Sequence, residues 1–123
     1  MLPRVHRLTR SCDFHRAFAE GQSWQRRLLT LCAVHNGLQQ SRFGFSVSRR
    51  IGNAVVRNRV KRRLRAAVRL RLDRVSAGQD LVFVARRGIS RASYMRVERA
   101  VENLLQEAGL FQGVDDANTC DED

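Results

Sequence analysis

The sequence predicts an α+β domain, a small sheet with helices packed on it. Three observations lead there. The 123 residues suit one domain and are too few for two comfortable ones. Hydrophobic residues make up 43%, enough to build one core at a length that buries roughly two-thirds of the unfolded surface. The apolar spacing alternates between helical and strand periods, in the order helix–strand–strand–helix–strand–helix, with no internal repeat.

Residues 1–10 are basic and irregular. Ser11 is placed to cap a short helix through Glu20, with Gly21 just past its end. Phe14, Ala17 and Phe18 stand at i, i+3, i+4 and make one apolar face of it. Residues 28–34 read as a buried strand, and 36–40 as a polar turn around Gly37. Residues 42–48 alternate, with Phe43, Phe45 and Val47 on one face and Gly44, Ser46 and Ser48 on the other. A hairpin between these two strands is the expected pairing. Ile51-Gly52-Asn53 interrupts, and one long helix is expected over 54–75, ended by Gly78. Residues 80–85 are a further strand, and 86–89 a turn containing Gly88. Ser90 or Ser93 then caps a last helix with Tyr94, Val97, Val101, Leu104, Leu105 and Ala108 on one face and Gly109 at its end. The folded domain is expected to span 1–111. Residues 112–123 are acidic, poor in large apolar side chains, and expected to be disordered.

Charge narrows the function. Lys and Arg total 23 against 12 Asp and Glu, a net of +11; Lys61 is the single lysine. Five of the acids (Asp115, Asp116, Asp121, Glu122, Asp123) lie in the last nine residues, so 1–114 carries 23 bases against seven acids, a net of +16. Such density implies a polyanionic partner, and the planar fork of arginine suits phosphate and base stacking better than lysine does. No apolar run approaches the roughly 18 residues of a membrane span, and Met1-Leu2-Pro3-Arg4 opens no secretory signal. Cys12, Cys32 and Cys120 fit neither a disulfide framework nor a zinc site. Reduced thiols in a cytoplasmic protein that does not meet a membrane are expected.

The window 42–71 holds ten arginines and Lys61 with no acid. On a helical wheel Val56, Val60, Leu64, Ala67 and Val68 fill an arc of about 120° that faces the sheet. Asn58, Lys61, Arg62, Arg65 and Arg69 fill the adjoining arc, Arg59 and Arg63 flank the stripe on its other side, and Arg57 falls at its edge in the first turn. A scattered set of bases is usually a solvated face. Without alternating acids, polyanion binding is the better reading. Duplex-DNA readers are disfavoured because no helix-turn-helix, zipper or zinc ligand accompanies the helix. A membrane-surface helix would need exposed Trp, Phe or Leu, and this apolar stripe is needed by the sheet.

Catalytic patterns are weak. His6, His15 and His35 have no metal or triad spacing, Ser46 and Ser48 lack a nucleophile-elbow context, and the carboxylates ahead of the acidic segment are scattered. Phe43 and Phe45 read as core more than as base-stacking platforms. The residues alone describe a nucleic-acid-binding protein with no active site or metal site of its own. A ribosomal or chaperone-like RNA-binding protein would fit that composition equally.

Residues 45–65, Phe-Ser-Val-Ser-Arg-Arg-Ile-Gly-Asn-Ala-Val-Val-Arg-Asn-Arg-Val-Lys-Arg-Arg-Leu-Arg, resemble the signature of the protein component of bacterial ribonuclease P, with every fixed position filled. The resemblance extends through Asp-Phe-His-Arg-Ala-Phe in the first helix, the Val-Phe-Val-Ala-Arg strand and the last helix. It implies a ferredoxin-like two-layer α/β sandwich with a four-stranded sheet, one strand more than the periodicity reveals, and a left-handed strand–helix–strand crossover against the usual rule. It also implies an endoribonuclease that hydrolyses one phosphodiester bond to remove the 5′ leader of precursor tRNA. In that family catalysis and most of the Mg²⁺ belong to the RNA subunit, and the protein binds that RNA and the leader. Carried over position by position, the implied RNA contacts are Arg57, Asn58, Arg59, Lys61, Arg62 and Arg65, with Arg49, Arg50 and Asn53 ahead of them; Arg69 continues the same basic face. The leader cleft maps onto Phe14 and Phe18. That pair is open to two readings, buried core or half-exposed cleft wall, and the resemblance tips toward the wall. A cleft tyrosine of some members has no counterpart in 28–34.

Overall fold

Four strands form one mixed sheet, and three helices pack on it. The computed structural model describes residues 2–111; the expectations for the acidic segment 112–123 and for Cys120 concern residues outside that span. The elements run α1 (Ser11–Glu20), β1 (Gln22–Gln25), β2 (Leu29–His35), β3 (Arg42–Ser46), α2 (Ala54–Arg69), β4 (Gln79–Ala85) and α3 (Tyr94–Glu107), with short 3-10 turns at Arg4–His6, Arg49–Ile51, Leu72–Arg74 and Ile89–Arg91. The sheet order is β1-β2-β4-β3. The fourth strand implied by the family resemblance is therefore present.

The expected hairpin between residues 28–34 and 42–48 does not form. β4 lies between them, antiparallel to β2 and parallel to β3. The reason is burial on both faces. Leu81, Val82 and Phe83 are all fully buried, and a strand apolar on both sides belongs in the middle of a sheet. The hairpin that does form joins β1 to β2. β1 escaped the periodicity because its sequence is Gln-Ser-Trp-Gln, exposed except at Trp24.

Leu29, Leu31, Ala33, Phe43, Leu81, Phe83 and Ala85 turn one sheet face toward α2 and α3 and make the main core with Val60, Leu64, Ala67, Val68, Val97, Val101, Leu104 and Leu105. Phe43 is buried, and Phe45 stacks on Phe83 at 6.1 Å between centroids, so both belong to the core side. The α2 stripe expected from the wheel faces the sheet as drawn. The helix is shorter than the expected 54–75: it closes at Arg69, and a 3-10 turn follows. Arg71 leaves the helix to reach Glu98 (3.3 Å) and Glu102 (2.9 Å) on α3, while Val75 turns inward to bridge Phe111. Tertiary contacts, not a sequence breaker, end α2.

Capping differs at one end. Asn53 caps α2 by accepting from Val56 N at 3.0 Å, and Ser93 caps α3 by accepting from Arg96 N at 3.3 Å. Ser11, expected as a cap, is the first helical residue of α1; Arg10 stands at the cap position without a side-chain bond. At the other end of α1 a glycine is required. A Cβ on Gly21 would come within 2.5 Å of Ala17 O and 2.6 Å of Ala33 O, both backbone. That close approach brings α1 onto the sheet face opposite α2 and α3.

Candidate nucleic-acid interface

The second sheet face is built in three rows across β2, β4 and β3, set by register: Val34–Asp80–Arg42, Cys32–Val82–Gly44 and Thr30–Val84–Ser46. Helix α1 covers the first two. Ala17 is fully buried against Cys32 and Val82, and Phe14 packs beside them, its ring over Gly44. The third row stays half-exposed. Phe18, one turn beyond Phe14, is 49% exposed. The two residues of the aromatic pair therefore differ: Phe14 is partly buried against the sheet, and Phe18 is half-exposed.

The α2 cations spread around the outer side of their helix. Asn58, Arg62 and Arg69 are exposed, as are Arg49 and Arg50 on the preceding 3-10 turn. Lys61 and Arg65 face the α1 side and line a pocket with Leu8, Phe14 and Phe45. Arg63 donates to Ala92 O at 3.0 Å on the α3 side, and Arg57 Nε donates to Gly52 O at 3.1 Å. Arg59, half-buried, has its Nε buried without a partner among the described residues. Asn53 commits its side-chain oxygen to the cap of α2.

Among the described residues no carboxylate reaches Arg49, Arg50, Arg57, Arg59, Lys61, Arg62, Arg63, Arg65 or Arg69. The ion pairs lie elsewhere, on Arg16, Arg26, Arg42, Arg71 and Arg74. Two bases of the acid-free sequence window are thus neutralised in space: Arg42 by Asp80 and Asp13, Arg71 by Glu98 and Glu102. The hydrogen bonds that Arg42 donates to Asp80 raise the Arg42 pKa above its usual value, against the smaller opposing effect of burial.

Sequence reasoning did not group three further cations with this surface. Arg7 lines the same pocket as Lys61 and Arg65, and Arg87 and Arg91 surround a notch with Arg50. The only sequence signal for the last two is the cluster of bases around Gly88. The N-terminal segment, irregular in sequence, also joins the fold. Leu2 and Leu8 are buried, and Leu8 N donates to Phe43 O at 2.9 Å along the free side of β3. No group of three or more His, Cys, Asp or Glu side chains among the described residues could hold a metal ion, and no helix there is long and apolar enough to cross a membrane.

This arrangement matches known proteins over nearly its whole length. The ribonuclease P family model matches residues 2–109. The chain belongs to the ribonuclease P protein family. Its relatives include the ribonuclease P protein components of Clostridium kluyveri, 37% identical over 88% of this chain and 98% of that one, and of Roseiflexus castenholzii, 39% identical over 91% and 93%. Solved structures of ribonuclease P proteins superpose well. The Staphylococcus aureus protein gives a TM-score of 0.81 at 27% identity, covering 87% of this chain and 98% of that one. The Thermotoga maritima protein, in complex with 1-(4-fluorophenyl)-2-thiourea, gives 0.77 at 34% identity, covering 81% and 97%. As a ribonuclease P protein component, the chain is a subunit of the tRNA-processing ribonucleoprotein endoribonuclease, and its partner is RNA.

Proposed function

We propose that the chain binds the catalytic RNA through the outer face of α2 and the turn before it, and binds the 5′ leader of precursor tRNA along the open row beside α1. The observation that carries this is the juxtaposition of nine bases lacking carboxylate partners among the described residues with a half-exposed aromatic pair. Arg49, Arg50, Asn53, Arg57, Asn58, Arg59, Lys61, Arg62, Arg65 and Arg69 are the proposed RNA contacts. The arginine forks and the lysine charge neutralise phosphates of the folded RNA. Phe14 and Phe18 offer stacking area to single-stranded leader bases, which needs no particular sequence.

The chain supplies binding and orientation rather than a nucleophile. Mg²⁺ is proposed to sit mainly on the RNA subunit: five of the seven described carboxylates are committed to arginines, Asp13 and Asp80 to Arg42, Glu98 and Glu102 to Arg71, and Glu107 to Arg26, and Glu20 and Asp73 belong to no cluster of three possible ligands. Holding leader and RNA together promotes metal-dependent hydrolysis of the single phosphodiester bond between leader and mature tRNA, leaving a 5′-phosphate. The assembly is proposed to work in the cytoplasm. Reconstitution tests the reading. Adding the chain to a bacterial ribonuclease P RNA at low Mg²⁺ is expected to stimulate leader removal, and no stimulation would reject it.

A further inference from the structure

The α1 helix is held by charge as well as by packing. Asp80, on central strand β4, is fully buried. Its Oδ1 accepts from Arg42 Nε and from Asn36 Nδ2, each at 2.9 Å; its Oδ2 accepts from Arg42 Nη2 at 2.8 Å. Two α1 side chains reach this centre. Arg16 Nη2 lies 3.5 Å from Asp80 Oδ2 and donates to His35 O at 3.0 Å, and Asp13 Oδ2 lies 3.6 Å from Arg42 Nη2.

The signs alternate along this chain of four: Asp13, Arg42, Asp80, Arg16. A buried ion pair adds little net stability over an apolar substitute, and removing one partner is costly, so an arrangement that keeps both partners together is favoured over one that parts them. Packing sets the depth of α1, through fully buried Ala17 and through the Phe14 ring over Gly44, and the ion pairs act along the flank of the helix that carries Asp13 and Arg16. A small roll of the helix about its axis displaces side chains on its flanks more than Ala17 on the line that faces the sheet. It would separate Asp13 and Arg16 from their partners.

We propose that Asp13, Arg16, Arg42 and Asp80 are positioning residues for leader recognition, setting the roll of α1 and so the presentation of Phe14 and Phe18 beside the Thr30–Val84–Ser46 row. The inference rests on the leader-cleft reading above. Asp80→Asn is the obvious variant, but it disturbs a buried centre and can simply unfold the chain. The informative variant is the double substitution Asp13→Asn with Arg16→Gln. It removes both α1 arms, leaves the Arg42–Asp80 pair intact, and conserves net charge, so long-range attraction to RNA is unchanged.

The assay uses the protein reconstituted with ribonuclease P RNA, titrated with precursor tRNA carrying either a leader of several nucleotides or a single one. Phe18→Ala serves as the reference, and melting curves accompany each variant. The double variant is expected to weaken long-leader binding by three- to tenfold, to leave single-nucleotide-leader binding unchanged, and to melt within a few degrees of the parent. Restoring Asp13 while making Arg16→Lys is expected to recover part of the loss. If Phe18→Ala loses long-leader affinity and the double variant does not, the positioning role is wrong and the cleft stands. An equal loss for both substrates, or a collapse in melting, also overturns the role. If Phe18→Ala has no leader-specific effect, cleft and positioning role fall together.

Discussion

The Phe14 ring rests on the backbone of Gly44. A β-carbon at Gly44 would lie 2.5 Å from Phe14 Cζ and 2.7 Å from Cε1, so the helix reaches this depth only because β3 has no side chain there. One residue with no side chain thereby sets how far the Phe14 ring sinks toward the sheet.

Gly44→Ala is expected to push the ring outward. Overpacking of this kind costs about 1–3 kcal/mol, to be read from denaturant unfolding. Gly44→Ala combined with Phe14→Leu is expected to recover part of that cost. Full additivity of the two changes would mean that ring and glycine do not meet.

Phe18→Ala should separate from Phe14→Ala. The Phe18 ring is 49% exposed, so its loss is expected to move stability by no more than about 0.5 kcal/mol, as surface changes usually do. Base–aromatic stacking contributes about 1–3 kcal/mol per base, and that loss should appear with a long leader and not with mature tRNA. Equal weakening for both substrates would remove leader binding from this helix.

Neighbouring residues on α2 should behave oppositely. Leu64 is fully buried, and Leu64→Ala is expected to cost about 2–5 kcal/mol of stability. Arg65 lies half-exposed beside the Phe14 pocket, and Arg65→Ala is expected to weaken RNA-subunit binding with a nearly unchanged melting temperature. Two variants with the same profile would contradict the helix orientation.

Salt should act strongly. Nine bases of the 42–71 window lack carboxylate partners among the described residues, since Arg42 and Arg71 are paired. If six or more meet phosphates, RNA affinity is expected to fall by roughly three to five decades between 50 and 200 mM salt, scaling from the duplex rule. A flat titration would sink the electrostatic account.

The cysteines offer a pH test of the covered face. Burial raises the Cys32 pKa, and the thiolate is the reactive form. At a mildly alkaline pH Cys32 is therefore more fully protonated than an ordinary thiol, and it is also buried. Cys12 is exposed. Alkylation followed by peptide mass analysis is expected to label Cys12 first and Cys32 only as pH rises further or the chain unfolds. Early labelling of Cys32 would mean that α1 does not cover it.

Much of this protein was legible in one dimension. The apolar stripe of α2, the amphipathic face of α3 and the three apolar strands follow from periodicity, because burying one helix stripe or one strand face is a local demand on spacing. The signature over 45–65 identified the family for the same reason: its residues are consecutive. What required the tertiary structure was anything decided between distant segments. β4 takes the centre of the sheet because it is apolar on both faces, and so the expected hairpin gives way to β1–β2 pairing. α2 stops at Arg69 because Arg71 finds Glu98 and Glu102 on another helix. An acid-free window in sequence holds two neutralised arginines in space, since Asp80 and Glu102 arrive from 38 and 31 residues away. Phe14 and Phe18 look alike on a helical wheel. They differ because α1 lies over Gly44 and stops short of the last row of the sheet. Spacing along a chain encodes which faces are apolar; which partner covers each face is settled only when the whole core closes.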